Sequence, residues 1–185
     1  DFEAKQIEIF SQMAEKGYIY KGLKPVYWCP DCETALAEAE IEYAEDPCDS
    51  IYVKFRVTED KGLLSAKGVD PSKVYFVIWT TTTWTIPGNL AICLGPDFEY
   101  VLVKSGEEYY IMAEALYENA MKAAGKDDYE VVASFKGSEL EYMKAAHPYL
   151  DRESLVILGD HVTLESGTGC VHTAPGFGVE DFDVC

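Results

Sequence analysis

The sequence predicts a mostly β fold with some α, arranged as a closed β-barrel core with peripheral helices. Three observations carry this expectation. Strand-like runs follow one another at short intervals between residues 51 and 158. One of them, VYFVIWT at 74–80, is apolar on both faces, as a strand in the middle of a sheet must be. Only one extended helical pattern breaks the series, and many short strands with few helices favour barrel closure over an open layer.

The elements follow in chain order. Residues 1–16 place Phe2, Ile9, Phe10 and Met13 on one face at helical spacing, and Gly17 stops the pattern. Turns are expected around Lys24-Pro25 and Pro30-Asp31. Residues 36–43 alternate with period two, with Glu38, Glu40 and Glu42 on one face, as an exposed strand does. After an acidic stretch at 44–49 come IYVKFRV (51–57), the central strand at 74–80, NLAICL (89–94), EYVLVK (99–104) and EYYIM (108–112). A helix is expected over 113–124, with Gly125 at the position past its end where a left-handed residue is wanted. YEVVASF (129–135) and SLVIL (154–158) complete the strands, and VEDFDV after Gly178 opens a short helix. A domain boundary is expected near residue 45. Residues 1–45 read as a flanking or connecting segment and 46–185 as a domain truncated at its C-terminal end. The start inside a helical pattern and the stop at Cys185 read as the ends of an excised fragment.

Of the 185 residues, 48% are hydrophobic and 13% aromatic, which suits a packed core and argues against disorder. No apolar run approaches the ~20 residues of a membrane-spanning helix, and the acidic N-terminus is unlike a targeting peptide. Fifteen basic against 33 acidic residues give a net charge of −18. That balance is poor for gripping a phosphate backbone at many points. Nucleic acid is therefore expected to touch this chain only at its end. With no secretory signal, a reducing cytoplasm is expected for the six cysteines at 29, 32, 48, 93, 170 and 185. Cys93 and Cys170 lie in apolar contexts that suit buried free thiols.

Two segments could carry chemistry. In WTTTTWTIPGN (79–89), five threonines fall within six positions directly after the buried strand. Such a run serves either as a β-favouring edge strand or as a source of hydroxyls at a strand end, able to orient a water and a carbonyl. In GTGCVHTAPGFGVEDF (167–182), four glycines surround His172, and Asp181 stands in the first turn of the following helix. Singly, such a histidine is more often a structural hydrogen-bonder, and such an aspartate a cap or helix-dipole partner. Their crowding within 15 residues points to a site. Cys29-Pro-Asp-Cys32 is a two-cysteine knuckle, half of a tetrahedral zinc set, with no second pair in the chain.

Together these segments resemble the editing (connective-peptide) domain of isoleucyl-tRNA synthetase, in the class I aminoacyl-tRNA synthetases. The family's threonine motif runs roughly WTTTPWTLPAN, and its second motif contains GTG-VHTAPGHG followed by an acidic pair. KGLKPVYWCPDCETALAEAEIEY is similar to the segment leading into that domain, and Trp84 favours the isoleucyl branch over the valyl and leucyl ones. Thr83 departs from the family's proline and Phe177 from its histidine.

The resemblance implies post-transfer hydrolysis of valine misattached to the isoleucine tRNA. A hydrophobic pocket separates ligands differing by one methylene by only about 10–200-fold, a figure that comes from these same enzymes. It implies that Asp181 holds the α-ammonium and that His172 walls the pocket against isoleucine. Thr80, Thr81 and Thr82 hold the ester and the attacking water, while Trp84 and Asn89 support that loop and the terminal ribose and adenine. No activated nucleophile is in view, so direct attack by a positioned water is expected, assisted by a ribose hydroxyl of the tRNA. The implied partners are the 3′ end of aminoacylated tRNA and the remainder of the parent synthetase, with no membrane. No cofactor is expected for the fragment; zinc belongs at most to the full-length parent, with Cys29 and Cys32 as reduced, unoccupied thiols here. The absence of HIGH-type and KMSKS-type signatures speaks against amino-acid activation. Two other readings stay open, a non-catalytic binding module for the tRNA end and a zinc-stabilised structural domain.

Overall fold

A computed structural model describes residues 1–22, 26–45 and 47–185. The turn expected at Lys24-Pro25 lies outside them. The chain divides into two compact units, Asp1–Pro47 and Cys48–Cys185. No helix among the described residues is long and apolar enough to cross a membrane.

The first unit begins with α1 (Phe2–Glu15), followed by Gly17 in the left-handed region at φ 77°. Strands β1 (Tyr27–Cys29) and β2 (Thr34–Leu36) form an antiparallel hairpin whose turn is the Cys29–Cys32 knuckle. The strand expected over 36–43 is not formed. β2 ends at Leu36, and a 3₁₀ turn occupies Glu38–Glu40. The Glu40 carboxylate accepts the Ala37 N–H at 2.7 Å, so the chain turns where no further strand pairs with it. Alternation without a partner strand does not make a strand.

The second unit is a mixed nine-stranded sheet. Its members are β3 (Ile51–Glu59), β4 (Val74–Thr80), β5 (Ala91–Leu94), β6 (Glu99–Ser105), β7 (Glu108–Ala113), β8 (Glu130–Lys136), β9 (Lys144–Ala146), β10 (Glu153–Leu158) and β11 (Cys170–Thr173). Across the sheet they run β11-β5-β10-β9-β3-β4-β7-β6-β8. All pairs are antiparallel except β5 with β10 and β4 with β7. The fold is thus mostly β with helices α2 (Tyr117–Ala123), α3 (Gly137–Leu140) and α4 (Val179–Val184). The expected barrel is not closed by any ladder among the described residues. β11 and β8 end the order, and β11 lies against β4 without pairing to it.

β4 is central, as its two-faced apolar sequence requires. Val74, Phe76 and Ile78 join the main core with Phe55, Ile92, Leu102, Ile111 and Val156. Val77 faces the other way, into a second cluster covered by Ala120 and Met121 of α2. The helix expected over 113–124 starts late. Ala113 pairs with Tyr100 as the last residue of β7, and its N–H goes to Thr168 O at 2.8 Å. Glu114 N–H likewise goes to Glu99 O at 2.9 Å, so ladder partners outweigh helical preference until Tyr117. Gly125 closes α2 at φ 64°.

Candidate functional site

β4 hands over at Thr80 to a loop that contains the threonines. Thr80 Oγ1 accepts the Thr82 N–H at 3.0 Å, a local turn that ends the strand. A 3₁₀ stretch then runs Thr83–Gly88. This geometry sorts the hydroxyls. Thr80, Thr81 and Thr82 are half-buried and Thr83 points to solvent, whereas Thr85 is buried. Trp84, 73% exposed, stands out beside them.

The second segment enters as β11, antiparallel to β5, with His172 opposite Ile92. Gly169 delivers the chain to that register. It sits at φ 74°, a Cβ there would lie 2.4 Å from that of Ala113, and its carbonyl accepts the buried Tyr100 hydroxyl at 2.6 Å. No other residue meets both demands.

The two segments meet at His172. Its Nε2 lies 3.0 Å from Thr85 Oγ1 and its Nδ1 2.7 Å from Asn89 Nδ2. The neighbours assign the protons. Asn89 Nδ2 also donates to Ala91 O at 2.9 Å, and Asn89 Oδ1 accepts the Ser154 hydroxyl at 2.6 Å, so the amide end facing His172 is a donor. Nδ1 therefore accepts, and Nε2 carries the hydrogen that goes to Thr85 Oγ1. The Thr85 hydroxyl in turn donates to Thr82 O at 2.8 Å. One directed chain runs Ser154, Asn89, His172, Thr85, Thr82, with every donor matched to an acceptor.

Burial pushes the His172 imidazole down. The Asp181 carboxylate pulls against it, His147 adds to it, and a hydrogen bond with the Thr85 backbone opposes it, leaving the ring below the ordinary histidine range. His172 is thus a ring engaged at both nitrogens, with burial favouring its neutral form. Asp181, in the first turn of α4, accepts the Ala174 N–H through Oδ2 at 3.1 Å. Its Oδ1 meets no protein donor among the described residues. Phe177 packs its ring over Gly88, joining the 174–178 turn to the threonine loop.

The structure thus gathers the loop of Thr80, Thr81 and Thr82 with His172, and sets Asp181 within electrostatic reach of that ring. Asn89 is 0% exposed with both amide ends occupied within the protein, which places it under the loop as a support. Sequence reasoning missed Thr85 as a distinct member, although it belongs to the same threonine run, and it missed Ser154. Nothing local to SLVIL marks that serine.

The knuckle stands apart. Cys29 Sγ accepts the Cys32 N–H at 3.4 Å, and this bond, with the Cys32 side chain and the Asp31 N–H, pulls the Cys29 thiol below its ordinary range. That suits thiolate ligation, but no third metal-ligating side chain joins them among the described residues. All six cysteines are free; Cys93 and Cys170 are buried, and burial pushes Cys93 up to about 12.

Residues 1–147 match the profile of tRNA synthetases class I (I, L, M and V). The chain is 66% identical over 184 residues to an isoleucine–tRNA ligase of Caldicellulosiruptor saccharolyticus, covering 100% of this chain and 20% of that protein. It is also 66% identical over 182 residues to that of Thermoanaerobacter sp., covering 98% and 20%. The chain thus spans about a fifth of the length of these relatives. Among solved structures, the crystal structure of GlLeuRS-CP1 superposes with a TM-score of 0.62 at 20% identity, over 73% of this chain and 58% of that one. The P. knowlesi cytosolic leucyl-tRNA synthetase editing domain gives 0.58 at 14%, over 75% and 63%. With the family profile matched over most of its length, the chain belongs to the class I tRNA synthetases of the isoleucine, leucine, methionine and valine group.

Proposed function

We propose that this chain is a proofreading hydrolase, cleaving the ester that joins valine to the 3′ end of the isoleucine tRNA. The observation that carries the reading is the hydrogen-bonded union of the threonine loop with His172, beside a carboxylate with one oxygen to spare. The kinship with isoleucine–tRNA ligases supports the choice of amino acid, and the editing-domain fold supports the choice of reaction.

The chemistry follows from the groups present. An aminoacyl ester carries a free α-ammonium, which Asp181 Oδ1 would take in a charge-assisted bond. His172, held at both nitrogens, cannot move aside for a longer side chain and so serves as a steric limit. The exposed ends of Thr80, Thr81 and Thr82 would hold the ester and align a water on its carbonyl. Trp84 offers an aromatic face to the terminal adenosine. No hydroxyl or thiol here stands next to a free base, so the reading is attack by a positioned water, with a tRNA ribose hydroxyl assisting. The Cys29 and Cys32 thiols would furnish two of the four ligands of a structural zinc in the parent synthetase, the others coming from outside this chain.

The test is deacylation of Val-tRNA and Ile-tRNA by the chain and by Asp181→Ala. Valine should be released preferentially, and the substitution should lower kcat/KM for Val-tRNA by about 10–150-fold, the equivalent of a charge-assisted bond. Equal release of both amino acids, or an unaffected variant, sinks the proposal. Binding of a non-hydrolysable valyl-adenosine analogue without turnover would leave a binding module in its place.

A further inference from the structure

The face of β4 turned away from the main core carries a cavity that the candidate site does not use. Register decides what lines it. Lys54 of β3 stands opposite Val77, and Tyr110 of β7 opposite Tyr75, so strand alternation brings Glu108, Tyr110 and Met112 to the same face. Helix α2 packs on this face through Ala120 and Met121. It is only seven residues long, and between it and β3 a cavity of about 270 Å³ remains. The floor is apolar, made by the buried side chains of Val77, Met112 and Met121.

The rim is polar and its charges do not cancel. Lys54 Nζ lies 2.8 Å from both oxygens of Glu108, and the Tyr110 hydroxyl donates to Glu108 Oε2 at 2.5 Å. These bonds hold the Glu108 carboxyl below its ordinary range, so it is ionised and its charge is met by Lys54. Lys126 is left over. Its Nζ lies 5.3 Å from the centre of the Tyr110 ring, and it joins no ion pair among the described residues. The lining therefore carries one surplus positive charge on a chain whose net charge is −18.

We infer that this cavity binds a small apolar acid, an aromatic or aliphatic body resting on Val77, Met112 and Met121 with a single carboxylate at Lys126. An apolar floor favours burial of a hydrocarbon body. Unbranched methionine side chains adapt their rotamers to the shape of the occupant. The cation at the mouth then selects the end group. A neutral end leaves Lys126 without a partner, an ammonium meets it with like charge, and a second carboxylate would lie against Glu108. Nothing in this assignment depends on the hydrolytic reading.

The test is an NMR titration of the chain, labelled at its methionine methyls, with 4-phenylbutyrate, 4-phenylbutanol and 4-phenylbutylamine. These probes share one body and differ in the charge of the end group. Salt of about 150 mM confines the field of the other carboxylates to about 8 Å. The acid should saturate a single site and bind about fivefold more tightly than the alcohol, as a partly exposed ion pair allows, with the amine weakest. The Met112 and Met121 signals should move, while Met143 of the main core stays still. Lys126→Met should bring the acid to the affinity of the alcohol and leave the alcohol unchanged. Ala124→Trp, which fills the mouth from an exposed position, should abolish binding of all three. If either variant fails to fold, the order of the three probes and the location of the shifts in the unsubstituted chain still decide. Acid and alcohol of equal affinity, an acid that does not saturate, or shifts that bypass Met112 and Met121 would overturn the inference.

Discussion

A methyl group at position 88 has no room while Phe177 stays where it is. A Cβ built on Gly88 lies 2.4 Å from Phe177 Cε2, and Phe177 is 63% exposed, so its ring can leave at the expense of its packing. Phe177, one of the departures from the family pattern, thus fills the space that a Cβ at position 88 would need. Gly88→Ala is therefore expected to lower stability by about 0.5–1.5 kcal/mol in the chain as it stands. In a Phe177→Ala background the same change should be neutral or stabilise by about 0.4–1 kcal/mol, because alanine restricts the unfolded chain. Urea melts of the four proteins complete the cycle, and equal effects in both backgrounds would falsify the coupling. The same pair shows what residue types reveal about a site. His172, Asp181 and the threonines stood out because hydroxyls, an imidazole and glycines were crowded locally. Thr85 did not, because which threonine turns inward is decided by the 3₁₀ turn and not by strand alternation. Ser154 is a single serine in an apolar strand, and its partner is 65 residues away.

Elements are settled by their partners, and the turn after β3 shows this at small cost. Asp60 accepts from Gly62 N–H, Leu64 N–H, and both the N–H and hydroxyl of Ser65, at 2.8–3.0 Å. Partial burial pushes its carboxyl up, but the bonds from Ser65, Gly62 and Leu64 outweigh that and leave it below the ordinary range. The sign follows. The stability contributed by Asp60 is fully present above the pKa of an unfolded aspartate, about 3.9, and is lost as pH falls through the lowered folded value. Asp60→Ala should cost about 1–2 kcal/mol near pH 7, as lost caps do. The gap between variant and parent should narrow as melts are taken to pH 3 and below; a gap that stays constant would refute the assignment. The strands at 51–59, 74–80, 99–105 and 108–113 were legible because each carries its own apolar pattern. Glu38, Glu40 and Glu42 show the limit, since their alternation lacked a partner strand. β9 and β11 are three and four residues long, too short to carry a period. Barrel closure is a relation between distant edges that no local pattern encodes.

At the scale of the whole molecule, charge decides how a polyanion is met. The net charge is −18, with 15 basic residues in all. Lys5, Lys54, Lys73, Lys104 and Lys144 are already in ion pairs with glutamates. Lys61 is turned to the carbonyls of Glu139 and Glu141, and Arg152 to that of Pro87. Seven of the 15 are thus engaged, and a phosphate must approach the others against the field of the surplus carboxylates. A protein that makes six to ten phosphate contacts loses about 10³–10⁵ in affinity between 50 and 200 mM salt. This chain should lose less than about tenfold over that range, because few counterions are released and screening relieves the general repulsion. Recognition would then rest on the terminal aminoacyl-adenosine, through Asp181 and Trp84, and a short 3′-end mimic should bind nearly as well as the whole tRNA. Titrations of both ligands at several salt concentrations measure this directly. A steep salt dependence, or a large advantage of whole tRNA over the mimic, would mean that a phosphate-binding surface exists on the chain and that the site is addressed through the tRNA body.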